Sequence, residues 1–186
     1  MKQQITKNAI QSSFLKLLSE KPFNKITVRD IVDECGLTRN TFYYYYEDVY
    51  EIVDEIVCEG IDRAIEMIDN GSSVLDITLH AVNVSRENKK SLRNILKSPH
   101  AEELVGYFDR AVDIVVDRFV INAANGVNIS DADRRIIRNT HVYVLRGIFF
   151  DWIRSDMKSP IEEDLQRINV IFSGSIESAV KKTSDK

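Results

Sequence analysis

What breaks helices is scarce in this chain: its 186 residues include only seven glycines and three prolines. Strand signals are missing too, because nowhere do apolar and polar residues alternate for long enough to build a sheet. Together these absences favour long helices. No apolar run approaches the ~20 residues that span a bilayer, so no membrane partner is expected. The polar opening MKQQITKNAIQ lacks the apolar segment of a signal peptide, and a cytoplasmic location is expected. Cys35 and Cys58 are the only cysteines. With neither CxxC spacing nor a nearby histidine, they read as small buried hydrophobes in a reducing compartment. His80, His100 and His141 are scattered, with no HExxH, no glycine-rich phosphate loop and no nucleophile elbow. No catalytic group, metal or cofactor is expected, and the chain does not read as an enzyme.

The net charge of −4 looks wrong for a partner of nucleic acid until it is divided. Residues 1–46 carry seven Lys and Arg against four acids, +3, and the remainder carries eighteen against twenty-five, −7. Screening confines each field to about 8–10 Å, so a basic head on an acidic body can still meet phosphate.

Within that head, TVRDIVDECGLTRNTFYYYY (27–46) reads as two short helices joined by a tight turn. Thr27 with Asp30 forms a capping pair, and Val28, Ile31 and Val32 recur at helical spacing. Gly36 is a C-terminal stop, Leu37 fills the corner, and Thr38 caps the next helix. This is helix-turn-helix geometry, whose second helix enters the DNA major groove. Gly36, Leu37, Thr38, Thr41, Phe42, Tyr43, Tyr45, Tyr46 and Asp48 resemble the G-V-S-x-x-T-F-Y-x-Y-F-x-D signature of the tetracycline-repressor (TetR) family over roughly the first fifty residues.

The expected fold is all-α, with about nine helices. A three-helix, helix-turn-helix head over 1–47 precedes a helical regulatory and dimerisation body over 48–186. The first helix is expected from about Lys7 to Ser19. Asp48, Ser73, Ser130 and Ser159 are read as caps, Ser98-Pro99 as the start of the seventh helix, and 160–179 as one last helix.

In the second helix of the motif, Phe42 and Tyr46 share one face and should be core. Arg39 suits a bidentate contact to guanine and Asn40 one to adenine. Thr41 and Tyr44 project away from the core face. Tyr43 and Tyr45 offer hydroxyls to phosphate oxygens, a role the resemblance also implies. Thr27 and Thr38 bring helix N-termini that can meet phosphate. The family pattern places a lysine after the aspartate, where this chain has Val49; Lys25, Arg29 or Lys7 can compensate.

The resemblance implies a homodimer on a palindromic operator in double-stranded DNA, released by a small-molecule effector. The alternatives are an activator, or a helical adaptor controlled by a protein partner. Helix eight is apolar on two sides, one through Ile137, His141, Leu145, Ile148 and Trp152, the other through Ile136, Tyr143, Gly147 and Phe150. One side can pack on its own domain and the other on a second subunit, with Ile168, Phe172 and Ile176 of helix nine completing the interface. A helix buried all round in a monomer is the competing reading. Candidate effector-lining groups are His80, Tyr107, Phe108, His141 and Trp152, against the possibility of a filled body with no effector.

Overall fold

The computed structural model of the chain describes residues 2–184, and these form helices and connections without a strand. In order they are α1 (Lys2–Glu20), a 3₁₀ turn (Phe23–Lys25), α2 (Val28–Cys35), α3 (Arg39–Tyr45), α4 (Val49–Asp69), α5 (Val74–Glu87), α6 (Lys89–Leu96), α7 (Ala101–Ala124), α8 (Asp131–Arg154), α9 (Ile161–Phe172) and α10 (Ser175–Ser184).

Most caps stand where the sequence signals them. Thr27 and Asp30 close a reciprocal capping box, and Ser73 does the same with Asp76. Asp48 accepts the Glu51 amide at 3.0 Å, and Ser130 accepts that of Asp133 at 3.1 Å. Four boundaries differ. The first helix begins at Lys2 instead of near Lys7. Ser98 closes a turn, its Oγ accepting the His100 amide at 3.2 Å, so α7 starts at Ala101 and Pro99 lies outside it. Ser159 is not the cap of α9; Pro160 occupies that position without a side-chain bond. The single last helix of the sequence reading is interrupted, because Gly174 sits at φ +66° behind an extended Ser173. A residue without Cβ takes that left-handed conformation at no steric cost.

The chain packs as two compact units. The first holds the residues through Glu59 together with Ser85–Phe108. Its core is Ile10, Phe14 and Leu18 of α1, Phe23, Ile31 and Val32 of the turn and α2, Phe42 and Tyr46, Ile52 and Val53 of α4, and Leu104 of α7. Asn94 of α6 donates to the Leu18 carbonyl at 2.8 Å, tying α6 to α1. The first packing unit is therefore larger than the 1–47 segment.

The second unit holds Gly60–Val84 and everything from Asp109 onward. One core cluster joins Val120, Ile137, Ile176 and Val180, and another joins Ala64, Ile68 and Ile77. Arginines of α8 meet aspartates of α7 in antiparallel register: Arg134 with Asp117 at 2.5 Å, Arg138 with Asp113 at 3.6 Å and Arg146 with Asp109 at 2.6 Å. The cysteines depart from expectation. Cys58 is exposed, and Cys35 is half-buried with its thiol 3.1 Å from the Ile31 carbonyl.

Candidate nucleic-acid interface

The turn between α2 and α3 is closed by backbone chemistry that the residue types dictate. Gly36 adopts φ +67°, ψ +27°, and the Leu37 amide reaches back to the Val32 carbonyl at 2.9 Å. The Gly36 amide bonds the same carbonyl, so both turn amides converge on Val32 as α2 ends. Thr38 then caps α3, accepting the Thr41 amide at 3.1 Å, with the two threonine hydroxyls 2.9 Å apart.

Two side chains seat α3. Phe42 is fully buried and Tyr46, at its C-terminal cap, is nearly so. The Tyr46 phenol donates to the Glu55 carboxylate, which also accepts from Lys7 and, at 3.2 Å, from Gln11. Burial, followed by the Glu55 carboxylate, pushes the Tyr46 phenol well above its ordinary pKa. Lys7 is engaged in this ion pair, so it cannot stand in for the lysine that Val49 replaces.

The remaining α3 side chains divide between solvent and partial burial. Arg39, Asn40, Tyr43 and Tyr44 are exposed and Thr41 is half-buried. Tyr45 is half-buried against the first unit's core, and its ring meets Tyr44 edge-on at 4.9 Å. Gln3 of α1 reaches the Tyr44 hydroxyl at 3.5 Å. Lys25 and Arg29 are exposed, Arg29 lying 3.5 Å from Asp33.

Thr27 is held in its capping box. Its amide and hydroxyl both donate to the Asp30 carboxylate, at 2.8 and 2.7 Å. The α2 N-terminus therefore already has a carboxylate beside it, and both of Thr27's protons are committed within the capping box. Those hydrogen bonds, with Lys21 at 2.9 Å, lower the Asp30 carboxyl to about 2.

In the second unit, a cavity of about 340 Å³ opens among the start of α5, Phe119 of α7, α8, α9 and the start of α10. Of the five effector-lining candidates only His141 borders it. His80 is exposed. Trp152 is buried against Phe149, with ring centroids 5.8 Å apart. Tyr107 packs on the first unit's core, and Phe108 belongs to that unit as well.

The expected dimer residues also divide. Tyr143 and Gly147 are exposed and Phe150 is half-buried. Ile168 and Phe172 instead line the cavity, and Ile176 is 6% exposed inside the core. In the α9 stripe of Ile161, Leu165, Ile168 and Phe172, the first two members are almost fully buried, while Phe172 is 37% exposed at the cavity. The most exposed apolar residues of α9 are Val170 and Ile171, at 76% and 75%. A count of apolar residues per face points to the denser stripe, and within one chain that stripe is the more buried of the two.

Among the described residues no group of three or more His, Cys, Asp or Glu could hold a metal, and no helix is long and apolar enough to cross a membrane.

Residues 14–56 match the family profile described as bacterial regulatory proteins, tetR family. Residues 72–174 match the profile described as a transcriptional regulator C-terminal region. Two relatives from Bacillus subtilis (strain 168) are the HTH-type transcriptional regulators YxbF and YdeS, both named as uncharacterized. YxbF is 24% identical over 86% of this chain and 42% of its own length; YdeS is 34% identical over 44% and 41%. The chain thus spans well under half the length of these curated relatives. In fold it is similar to the dihydroxyacetone kinase operon activator DhaS, with TM-score 0.69 and 19% identity over 94% of this chain and 97% of the other. It is also similar to NalD of Pseudomonas aeruginosa, titled the secondary repressor of the MexAB-OprM multidrug efflux pump, with TM-score 0.61 and 18% identity over 91% and 94%.

Proposed function

The chain belongs to the tetR family of bacterial regulatory proteins, and from that premise we propose that it is a sequence-specific DNA-binding transcriptional regulator, a homodimeric repressor released from its operator by a small molecule. The observation that carries the reading is α3 itself. It is anchored from behind by Phe42 and Tyr46 and presents Arg39, Asn40, Tyr43 and Tyr44 to solvent. Arg39 reads guanine and Asn40 adenine through the bidentate patterns of the major groove. Thr41, Tyr43, Tyr45, Lys25, Arg29 and Thr38 hold the helix on the phosphates without reading sequence. DNA contact is assigned to residues 1–47 and regulation to 48–186, a division of labour distinct from the packing units.

The dimer reading is supported by the outward face of α8. Ile136 and Tyr143, 60% and 65% exposed, run with Gly147 and Phe150 at helical spacing, and α9 exposes Val170 and Ile171 as well. Monomers rarely leave such apolar surface to water, and a two-fold axis covers it with its own copy. Two heads would then read half-sites about 34 Å apart, or a multiple of that. The effector reading is supported by the cavity bordered by His141. A ligand releases the operator only by binding the DNA-incompetent state more tightly; ~100-fold weakening corresponds to about 2.7 kcal/mol of coupling.

Selection of sites from random double-stranded DNA tests the reading. An enriched inverted repeat supports it, and recovery of none overturns it. A reporter driven from the selected site then separates repression from activation.

A further inference from the structure

We propose that the cavity of the second unit takes a mostly apolar molecule whose polar end donates hydrogen bonds, an amine or an alcohol in preference to a carboxylate or phosphate; this rests on reading the cavity as the effector site. Leu75, Phe119, Leu145, Leu165, Ile168 and Phe172 supply apolar wall, and burial against them provides affinity that is indifferent to the polar end. Selectivity comes from the polar atoms, whose hydrogen-bond states follow from their partners.

The Ile137 carbonyl lies 2.8 Å from His141 Nδ1 and can only accept, so in the neutral imidazole Nδ1 carries the proton. Nε2 is then a lone pair, and the Ser175 hydroxyl 2.8 Å away donates to it. Ser175 is a lining residue, and its Oγ then has only lone pairs left to offer. Thr78 is in the same state, because its hydroxyl donates to the Val74 carbonyl at 2.7 Å. Ser73 directs its proton to Asp76 at 2.7 Å. No lysine or arginine is among the lining residues, and the carboxylate there is Glu177. The α10 N-terminus does offer amide donors, but Glu177 occupies its first turn and offsets its positive end. An anion entering here would meet a like charge with no lysine or arginine to offset it, and only neutral donors, the Asn169 amide and the Ser72 and Ser173 hydroxyls. An amine or hydroxyl would meet acceptors placed to receive its protons.

A matched series on one phenylethyl skeleton, titrated into the full chain, decides the matter: 2-phenylethylamine, 2-phenylethanol and phenylacetate at millimolar concentration, read by the ring resonances of His141. The amine and alcohol are expected to bind and shift those resonances, with phenylacetate about tenfold weaker or more. Thr78→Val, which keeps the side-chain shape and removes the acceptor, should weaken amine and alcohol several-fold and leave phenylacetate unchanged. Ile168→Trp should fill the cavity and abolish binding at unchanged helicity. If phenylacetate binds as tightly as the others, the donor preference is wrong while the cavity stands as a ligand site. If none of the three moves His141, the effector reading of this cavity falls as well.

Discussion

The Tyr46 phenol donates a hydrogen bond to the Glu55 carboxylate, and this bond fastens the C-terminal cap of α3 to α4. Burial alone would raise the Glu55 carboxyl. The hydrogen bonds from Lys7, Tyr46 and Gln11 outweigh that cost and hold it below its ordinary pKa. Tyr46→Phe keeps the ring in the core and removes the donor. It should lower stability by about 1–2 kcal/mol, since a bond to an ionised acceptor exceeds a neutral one. Urea denaturation measures this; an unchanged midpoint would show that the bond contributes nothing.

At the other end of the motif, Asp30 carries a pH signature. Its folded carboxyl titrates at about 2 against an ordinary 3.8, through the Thr27 hydroxyl first, then Lys21 and the Thr27 amide. A depressed carboxyl contributes stability that is complete above the unfolded pKa and lost as pH falls through the folded one. The window is therefore pH 4 down to 2, and the size is on the order of 1 kcal/mol, as for a helix cap partly open to solvent. Asp30→Asn should flatten the stability difference across that window. An NMR titration placing the Asp30 midpoint near 4 would remove the basis for it.

Arg39 and Asn40 should separate from Lys25 in their effects on DNA. Replacing Arg39 or Asn40 by alanine is expected to cost about 1–3 kcal/mol at one base position and to blur preference there. Lys25→Ala should weaken all sites alike and reduce the salt dependence of binding. Binding to a library of single-base operator variants distinguishes the two patterns. Uniform loss for Arg39→Ala would demote it to a phosphate contact.

Local chemistry made the motif readable. A capping box, a glycine at positive φ and a threonine cap act within four residues, so Thr27, Gly36 and Thr38 announce α2, the turn and α3 without tertiary context. The seating of Phe42 and Tyr46 follows from helical spacing alone. Long-range pairings left no such trace. Glu55 meets Lys7 across 48 residues, and His141 meets Ser175 across 34; neither spacing has a pattern to detect. The cavity was illegible for the same reason, being a gap left where five helices fail to fill space. Trp152, by size and polarity a sensible lining group, is core instead. Periodicity shows that a helix has an apolar face but not what covers it, so α9's buried stripe and the exposed Val170 and Ile171 were interchangeable in the sequence.

That ambiguity fixes how self-association has to be tested. Phe172→Asp is a poor probe, because Phe172 lines the cavity and its ring lies 6.3 Å from that of His141. Ile176→Asp would bury a charge among Val120, Ile137 and Val180 and unfold the second unit. Tyr143 and Ile171 are clean sites, being largely exposed within one chain. An aspartate at either should change the stability of an isolated chain by no more than about 0.5 kcal/mol. In a dimer that covers this face, the same aspartate becomes a desolvated, unpaired charge costing several kcal/mol of association. Tyr143→Asp and Ile171→Asp should therefore sediment as monomers with unchanged helicity where the parent chain is a dimer, and should lose operator affinity with the second head. Dimers that persist in both variants at micromolar concentration would move the interface off the outward residues of α8 and of α9.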